Sequence, residues 1–387
     1  MARFAEFFAG IGLVREALEP LGWECVFAND IAEEKAVMYR ERFGAEHLVV
    51  DDINALTLDD LPNDLDLLTA SFPCIDLSLA GNRRGLAGLH SGAVWPFLNL
   101  ASELVQEREP PKALLLENVT GFLTSHGGRD LFEVCERMGE LGYLIDLVVV
   151  DARWFTPQSR PRLFVIALRE QLVPAALPPT GEITRLRNRA VRRFQAERCE
   201  LPLIELDLPE PPLRAASTLV QELDDLSQDD ESWWPRERVD AIVETMHPRH
   251  RERVEELIQG HRDGVATMFR RVRGGRTVGE VRGDRIAGCL RTPQGGSSVQ
   301  FLVDCRSGDT RIRPLTGLEY ARLQGASSFP IRVGRRQAQL GFGDAICVPA
   351  VSWLARRALG YLLDEGRVAQ GVRSRFAERV PSFAAGN

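Results

Sequence analysis

Residues 3–30, RFAEFFAGIGLVREALEPLGWECVFAND, decide the fold: an apolar run leads into a glycine turn, then a helical pattern, then a second apolar run. Strand, helix and strand in this order are typical of a parallel sheet wound by helices. The alternation continues to about residue 170, with further apolar runs at 113–118 (ALLLEN) and 162–168 (RLFVIAL). We therefore predict an α/β fold with a doubly wound, mostly parallel sheet, which binds its ligands beyond the carboxyl ends of the strands.

The composition of the 387 residues, 44% hydrophobic and 27% charged, is that of a folded globular chain. No apolar run approaches the roughly 20 residues needed to cross a bilayer, and the opening MARFAEFFAG reaches glycine too soon for a secretion signal. We expect a cytoplasmic protein. The net charge of −7 argues against a uniformly basic nucleic-acid-binding coat but leaves open a single basic face.

The seven cysteines are scattered without a CxxC pair, so the sequence indicates neither a disulfide framework nor a zinc knuckle. The histidines form no recognisable ligand set with carboxylates. We predict no metal site.

The chain changes character after about residue 170. Prolines cluster at 209–212, residues 221–232 are acidic, and 262–291 hold eight arginines against three acids. Helical periodicity returns at 341–363. We expect a small domain inserted into a larger one, and we divide the chain at the following residues: 1–175 for the catalytic, cofactor-binding domain, 176–338 for the insertion, 339–366 for a C-terminal helix that returns to the first domain, and 367–387 for a tail.

The glycine turn indicates a nucleoside-bearing ligand. Gly10 and Gly12 permit close backbone approach, and Asp30 follows at the end of the second strand, where a carboxylate can accept both ribose hydroxyls. The third glycine of a dinucleotide fingerprint is missing, because Leu13 follows Gly12. This favours S-adenosylmethionine over NAD, although a purely structural strand–helix turn is an equal alternative on this motif alone.

Cys74 lies in the stretch SFPCIDLSLAG, residues 71–81, just after the apolar run that ends at Phe72. A free cysteine is most often a small buried hydrophobe. Here, however, the thiol follows a strand end in the same crevice as the glycine turn, Glu117 ends the run ALLLEN, and two arginines precede the run RLFVIAL. These neighbouring motifs favour Cys74 as a nucleophile.

Six motifs in one order resemble those of the DNA (cytosine-5)-methyltransferase family of the bacterial and phage type. They are FAGIG, ASFPC, LLLENV, QSRPR, IRPLTGLEYARLQGASSFP and GFGDAICVPAVSWLA, within residues 3–169 and 311–360. The resemblance implies a Rossmann-like, S-adenosylmethionine-dependent methyltransferase fold with a smaller inserted target-recognition domain. It also implies methyl transfer to carbon 5 of cytosine in a specific duplex DNA site.

The resemblance assigns catalytic roles to five residues. Cys74 would add to carbon 6 of the cytosine, which makes carbon 5 nucleophilic, and Glu117 would donate to ring nitrogen 3 if burial keeps it protonated. Arg160 and Arg162 would hold the thiolate and the base or nearby phosphates, and Asn118 would fix the loop.

The same resemblance implies a cofactor pocket lined by Phe8, Gly10, Gly12, Asp30, Ile31, Asp52, Ile53 and Phe72. The chain departs from the family pattern at three positions near it. Glu6 stands where the family usually has aspartate, Leu13 where glycine is common, and Asp344 where asparagine is frequent. Asp344 would repel the carboxylate of the cofactor unless water or an arginine intervenes.

A base inside a duplex must be flipped out before Cys74 can reach it. The glycine-bearing loop after Cys74 would close over that base, with Ser78, Arg83 and Arg84 on phosphates. Candidates for DNA contacts in the insertion are Arg270, Arg271, Arg273, Arg276 and Arg291. Each of these arginines is as readily an ordinary surface charge.

Two other functions fit the same residues: a transfer-RNA cytosine-5 methyltransferase of the same fold, and a catalytically inactive DNA-binding module. The arginine-bearing insertion favours duplex DNA over RNA, and the presence of Cys74, Glu117, Arg160 and Arg162 argues against a decayed site. We expect a monomer acting on double-stranded DNA, with or without a restriction endonuclease that acts on the same site.

Overall fold

The computed structural model describes residues 1–73, 91–173, 176–293 and 299–363. Its central sheet has seven strands in the order β3-β2-β1-β4-β5-β7-β6. They are β1 (Ala2–Phe7), β2 (Trp23–Asp30), β3 (Leu48–Val50), β4 (Leu67–Ala70), β5 (Ala113–Val119), β6 (Tyr143–Asp151) and β7 (Pro161–Arg169). The pairs among β1 to β5 are parallel, whereas β7 runs antiparallel to both β5 and β6.

Helices cover both faces of this sheet, as a doubly wound fold requires. The α-helices of the described residues are α1 (Leu13–Leu18), α2 (Glu33–Phe43), α3 (Val94–Glu107), α4 (Arg129–Glu140), α5 (Arg189–Glu197), α6 (Arg236–Glu244), α7 (Pro248–Ile258), α8 (Gly317–Leu323), α9 (Arg335–Asp344) and α10 (Val348–Ala358). Helices α6 and α7 pack elsewhere, on the sheet described next. Strand residues alternate between two buried apolar clusters, so that Phe4 joins one and Phe7 the other. The first cluster packs against α1, α2, α8, α9 and α10, and the second against α3, α4 and α5.

A second, antiparallel sheet forms in the arginine-rich part of the chain. Short strands β8 (Ala176–Leu177) and β9 (Glu205–Leu206) precede it, and its four strands follow the order β11-β10-β12-β13. They are β10 (Val265–Arg273), β11 (Arg276–Val281), β12 (Gln300–Asp304) and β13 (Arg311–Pro314). Buried side chains of this sheet, α6 and α7 form an apolar cluster of their own.

The last helices return to the first sheet. The side chain and backbone of Thr316 and Glu319 form a capping box that starts α8, and Pro349 lies in the first turn of α10, where its missing N–H costs nothing. Helix α10 packs on α1, and the Ser352 hydroxyl donates to the Ala17 carbonyl at 3.0 Å. The C-terminal segment is thereby tied to the helix that follows the glycine turn.

Residues Arg335–Ala358, which span α9 and α10, have the length and apolar composition of a membrane-crossing helix. However, 67% of their most apolar window is buried inside the protein. Helices in the core of a soluble protein have the same composition, so this stretch is weak evidence for a membrane span.

Candidate active site

The side chains of Glu117 and Arg162 meet where β5 ends and β7 begins. Arg162 stands opposite Val119 in the antiparallel ladder, so its side chain shares a face with that of Glu117, two residues earlier. The Arg162 Nε lies 2.8 Å from Oε1 of Glu117, and both side chains are more than four-fifths buried. The guanidinium therefore fixes the carboxyl group at the strand end.

Asn118 ties the end of β5 to the end of β4. Its side-chain amide donates to the Phe72 carbonyl at 3.1 Å, and its Oδ1 accepts from the backbone N–H of Val119 at 2.8 Å. Phe72 precedes Pro73 and Cys74 in the chain. Asn118 thus anchors Phe72, two residues before Cys74 in the sequence, while Cys74 itself lies outside the described residues.

Arg160 is 2% exposed, and the two terminal nitrogens of its guanidinium donate to three backbone carbonyls. It donates to Leu290 at 3.0 Å, to Gly343 at 3.2 Å and to Asp344 at 2.9 Å. Burial, and then the charge of Arg162, lowers the pKa of Arg160 below its usual value. These contacts join the start of β7 to the segment between β11 and β12, which contains Leu290, and to the end of α9.

The thiol of Cys289 lies between the same two arginines. Its Sγ is 3.4 Å from Nη1 of Arg160 and 3.9 Å from Nη2 of Arg162. Burial raises the pKa of this thiol, but Arg160, Arg162 and Arg291 outweigh burial, so the pKa falls below its usual value. A thiolate-stabilising position therefore adjoins the Glu117–Arg162 pair.

Buried amides hold this arrangement together. Gln158 accepts from the backbone N–H of Leu290 at 3.1 Å and donates to the Leu323 carbonyl at 2.8 Å. The backbone N–H of Ser159 also donates to Ala287 at 2.9 Å. Segment 158–162 is therefore bound to segment 287–290 across more than 120 residues of chain, through backbone and side chain alike.

The glycine turn lies at the carboxyl ends of β1 and β2. Gly10 adopts φ of +59°, and its backbone N–H donates to Oδ2 of Asp30 at 2.7 Å, while Oδ1 of Asp30 accepts from Ala32 at 2.8 Å. Each carboxylate oxygen keeps a further lone pair for a ligand. Phe8, with φ of +56°, holds a conformation that bulky residues rarely adopt.

The apolar residues predicted for the cofactor pocket differ in exposure. Ile31 is 68% exposed just beyond Asp30, whereas Ile53 and Phe72 are buried. Asp52 accepts from the backbone of Asn54 at 2.9 Å and so starts the turn that contains Ile53. A large uncovered apolar side chain beside strand-end carboxylates fits a ligand with a planar base and a ribose.

Lys35 supplies the positive charge that the sequence left undefined beside Asp344. Its ammonium lies 3.2 Å from Oδ2 of Asp344. The sequence analysis named water or an arginine as the groups that could shield Asp344, whereas the cation beside it in the structure is a lysine.

The arginines predicted to contact DNA lie in three kinds of surroundings: ion pairs, an aromatic ring and open surface. Arg271 and Arg273 flank Glu280, at 3.7 and 2.9 Å. The guanidinium of Arg270 stacks 4.8 Å from the ring centre of Phe301. Arg276 and Arg291 are exposed, whereas Ser78, Arg83 and Arg84 lie outside the described residues.

Within the described ranges, no group of three or more His, Cys, Asp or Glu side chains is arranged to hold a metal ion. Lys35 and Cys289 were not among the residues predicted for the site. The sequence carried one signal for Lys35, since lysine occurs only at 35 and 112 in a chain rich in arginine.

Comparison with known proteins decides the family. The sequence profile of the C-5 cytosine-specific DNA methylases matches residues 2–359. The chain belongs to this family. The prediction of the family and of the enzyme class, a DNA (cytosine-5)-methyltransferase, is confirmed.

Relatives of this methylase include two type II methyltransferases that align over most of their length. M.DsaV of Dactylococcopsis salina is 28% identical over 364 residues, which are 93% of this chain and 86% of the relative. M.HpaII of Haemophilus parainfluenzae is 28% identical over 370 residues, which are 92% of this chain and 88% of the relative. M.HhaI of Haemophilus parahaemolyticus is 33% identical over 44% of this chain and 50% of its own.

Solved structures similar to this methylase confirm the predicted fold class. The Dnmt2 methyltransferase of S. pombe superposes with a TM-score of 0.59 at 18% identity, over 94% of this chain and 99% of its own. A putative DNA modification methyltransferase encoded within a prophage (E. coli) gives 0.59 and 18%, over 94% and 100%. At such identities the similarity concerns the fold alone.

Proposed function

We propose that this methylase transfers the methyl group of S-adenosylmethionine to carbon 5 of a cytosine that is flipped out of a specific duplex DNA site, with Cys74 as the nucleophile. The observation that carries the proposal is the Glu117–Arg162 pair at 2.8 Å. Beside it, Asn118 binds the carbonyl of Phe72, two residues before Cys74 in the sequence. A carboxyl group held by a guanidinium can form a fixed hydrogen bond to one edge of a pyrimidine.

Cytosine needs this help because its carbon 5 is a poor nucleophile. The Cys74 thiolate adds to carbon 6, and the new C–S bond moves electron density onto the ring, where Glu117 donates a proton to nitrogen 3. After carbon 5 has gained the methyl group that the cofactor supplies, a base accepts the carbon-5 proton, the electron pair of that C–H bond expels the Cys74 thiolate from carbon 6, and nitrogen 3 returns its proton to Glu117. Arg162 keeps Glu117 oriented through both steps.

S-adenosylmethionine would supply an electrophilic methyl group on a sulfonium centre. Its nucleoside suits the crevice beside Gly10, where Asp30 and Asp52 offer acceptors and Ile31 an exposed apolar surface. Phe8, Gly12, Ile53 and Phe72 would complete the pocket, with the last two forming its buried wall.

We assign a positioning role to Arg160. Its N–H groups donate to the backbone carbonyls of Leu290, Gly343 and Asp344. Arg160 therefore holds the segment between β11 and β12, and the end of α9, against β7. Direct contact with the base then falls to Arg162.

We propose residues 1–175 as the catalytic, cofactor-binding domain and 176–338 as the target-recognition domain, with 339–366 returning to the former and 367–387 as a tail. The separate apolar cluster of the second sheet, α6 and α7 supports a recognition unit with its own core. Arg270, Arg276 and Arg291 are its candidates for contacts with DNA, and Arg271 and Arg273 would have to exchange Glu280 for phosphate. The loop with Ser78, Arg83 and Arg84 would cover the flipped base.

The relatives support a role in DNA modification. We propose that the enzyme acts as a monomer in the cytoplasm. M.DsaV and M.HpaII are named type II methyltransferases, which supports a partner endonuclease, and M.SPBetaI of Bacillus phage SPbeta is named an orphan methyltransferase. Deleting the methylase gene with and without prior deletion of neighbouring endonuclease genes would distinguish the two settings. A paired methylase is essential until the endonuclease is removed, whereas an orphan methylase is dispensable in both backgrounds.

The proposal is tested by incubating the protein with labelled S-adenosylmethionine and either mixed-sequence duplex DNA or total transfer RNA. Label is expected in DNA; label in transfer RNA alone, or in neither, would overturn it. A duplex with 5-fluorocytosine at the target should give an adduct that survives denaturation, because fluorine cannot leave as the proton does. Cys74→Ser should abolish the adduct and Cys199→Ser, at an exposed cysteine, should not.

A further inference from the structure

Lys35 and Asp344 meet beside the glycine turn, although they lie far apart in the chain. Lys35 lies in the first turn of α2, Asp344 ends α9, and their charged groups are 3.2 Å apart. A methyl group added to Gly10 would lie 3.9 Å from Cδ of Lys35. The lysine stem therefore borders the open space that the glycine turn leaves.

Both charged groups keep unused bonding capacity. An ammonium has three donors, and the contact with Asp344 uses one of them. Oδ1 of Asp344 accepts no hydrogen bond within the described part of the chain, and the side chain is 54% exposed, against 23% for Lys35. Arg160 holds the backbone carbonyl of Asp344 at 2.9 Å, so the carboxylate is presented from a fixed backbone.

The surroundings keep Lys35 charged. Burial lowers the pKa of its ammonium, but Asp344 and Asp30, with a smaller contribution from Glu34, outweigh burial, so the pKa lies above its usual value. Lys35 is thus a cation placed between the glycine turn and an acid.

We propose that Lys35 and Asp344 act as a paired site for the α-amino acid end of S-adenosylmethionine, Lys35 binding its carboxylate and Asp344 its ammonium. An isolated aspartate would repel that carboxylate, and an isolated lysine would repel that ammonium. A cation and an anion side by side complement both charges of the zwitterion. This inference rests on the proposed function, because it assumes the same cofactor.

The competing interpretation is that Lys35 only neutralises Asp344 and never touches the ligand. Calorimetric titration separates the two, with S-adenosylmethionine and 5′-methylthioadenosine, which lacks the amino acid end, as probes. We expect Lys35→Met to weaken binding of S-adenosylmethionine on the order of tenfold or more, the effect of one lost charge-assisted hydrogen bond. Binding of 5′-methylthioadenosine should change less than about twofold.

The decisive comparison is made in the Asp344→Asn background, where there is no charge left to neutralise. If Lys35 binds the ligand carboxylate, Lys35→Met still weakens S-adenosylmethionine binding there. A loss confined to the Asp344 background, or an equal loss for both probes, overturns the paired site.

Lys112 provides the matched control. It is the other lysine of the chain, it also pairs with an aspartate, Asp66 at 2.7 Å, and it precedes β5 at the opposite edge of the sheet. Lys112→Met should leave binding of both probes unchanged, and melting curves should show each variant folded. A wild-type protein that binds neither probe would refute the proposed cofactor itself, whereas tight wild-type binding with no effect of Lys35→Met refutes this inference alone.

Discussion

Arg162 lies diagonally across the β5–β7 ladder from Glu117, with its Nε 2.8 Å from Oε1 of the carboxyl group. Because the two strands are antiparallel, the end of one and the beginning of the other meet at the same edge of the sheet. A reversed strand at this position therefore brings a guanidinium to a carboxyl group that ends its neighbour.

Removing the acid of this pair should slow chemistry and spare binding. Glu117→Gln keeps the shape of the side chain but removes its transferable proton, so turnover should fall on the order of 10²-fold or more while duplex affinity stays within a few-fold. Single-turnover methylation and a DNA binding titration measure the two quantities. Glu133→Gln, at a glutamate of α4 that pairs with Arg129 at 2.7 Å, is the control. Near-normal turnover of Glu117→Gln would remove this residue from the chemistry.

Replacing Arg162 by lysine should also reduce turnover, because a point charge cannot orient the carboxyl group as a planar fork does. The reduction should be smaller in the Glu117→Gln background, since the two side chains act as one unit. Single-turnover rates of the two single variants and the double variant complete the cycle. Additive losses would mean that Arg162 acts independently of Glu117.

Asn118 should affect the attack by Cys74 more than cofactor binding. Asn118→Ala removes the hydrogen bond to the Phe72 carbonyl, two residues before the nucleophile. Adduct formation with 5-fluorocytosine duplex should slow about 10-fold to 10²-fold, as expected for a misplaced reacting group. Calorimetric titration with S-adenosylmethionine should give an affinity close to that of the wild type. An unchanged rate of adduct formation would show that Phe72 is held without Asn118.

The sequence was sufficient for the parts of the site that depend on local pattern. Apolar runs in alternation with helical patterns predicted a mostly parallel, doubly wound sheet, and Glu117 and Asp30 were placed at strand ends because their apolar runs stop there. The antiparallel direction of β7 was not predicted, since an apolar run has the same pattern in either direction.

Contacts between segments that are distant in the chain could not be predicted from the sequence, for a physical reason. Cys289 reaches Arg160 across 129 residues and Lys35 reaches Asp344 across 309, so neither pair leaves a spacing that local rules can detect. The interpretation of Arg160 as a possible contact to base or phosphate rested on residue type, whereas its bonds to three backbone carbonyls depend on how α9 and the second sheet pack.

Cys289 should react with iodoacetamide at lower pH than an ordinary thiol. Burial raises the pKa of Cys289, but Arg160 and Arg162 outweigh burial and lower it, so the reactive thiolate forms earlier as pH rises. Peptide mass spectrometry after timed alkylation between pH 6 and 9 gives its rate profile, with free cysteine as the reference. Arg162→Ala should move the profile of Cys289 to higher pH. A profile at or above that of free cysteine would contradict the lowered pKa.

Glu6 should make the stability of the fold depend on pH between about 5 and 8. It is 2% exposed at the end of β1, and burial raises its pKa to about 8 against the hydrogen bonds that it accepts from the backbone of Arg15 and Val14. As pH rises from 5, the unfolded chain loses the Glu6 proton first while the folded chain keeps it, so the free energy of unfolding falls and levels off above about pH 8. Urea unfolding at pH 5, 7 and 9 should therefore show the wild type losing stability relative to Glu6→Gln, which has no proton to lose. Parallel curves for the two proteins would mean that Glu6 ionises equally in the folded and unfolded chains.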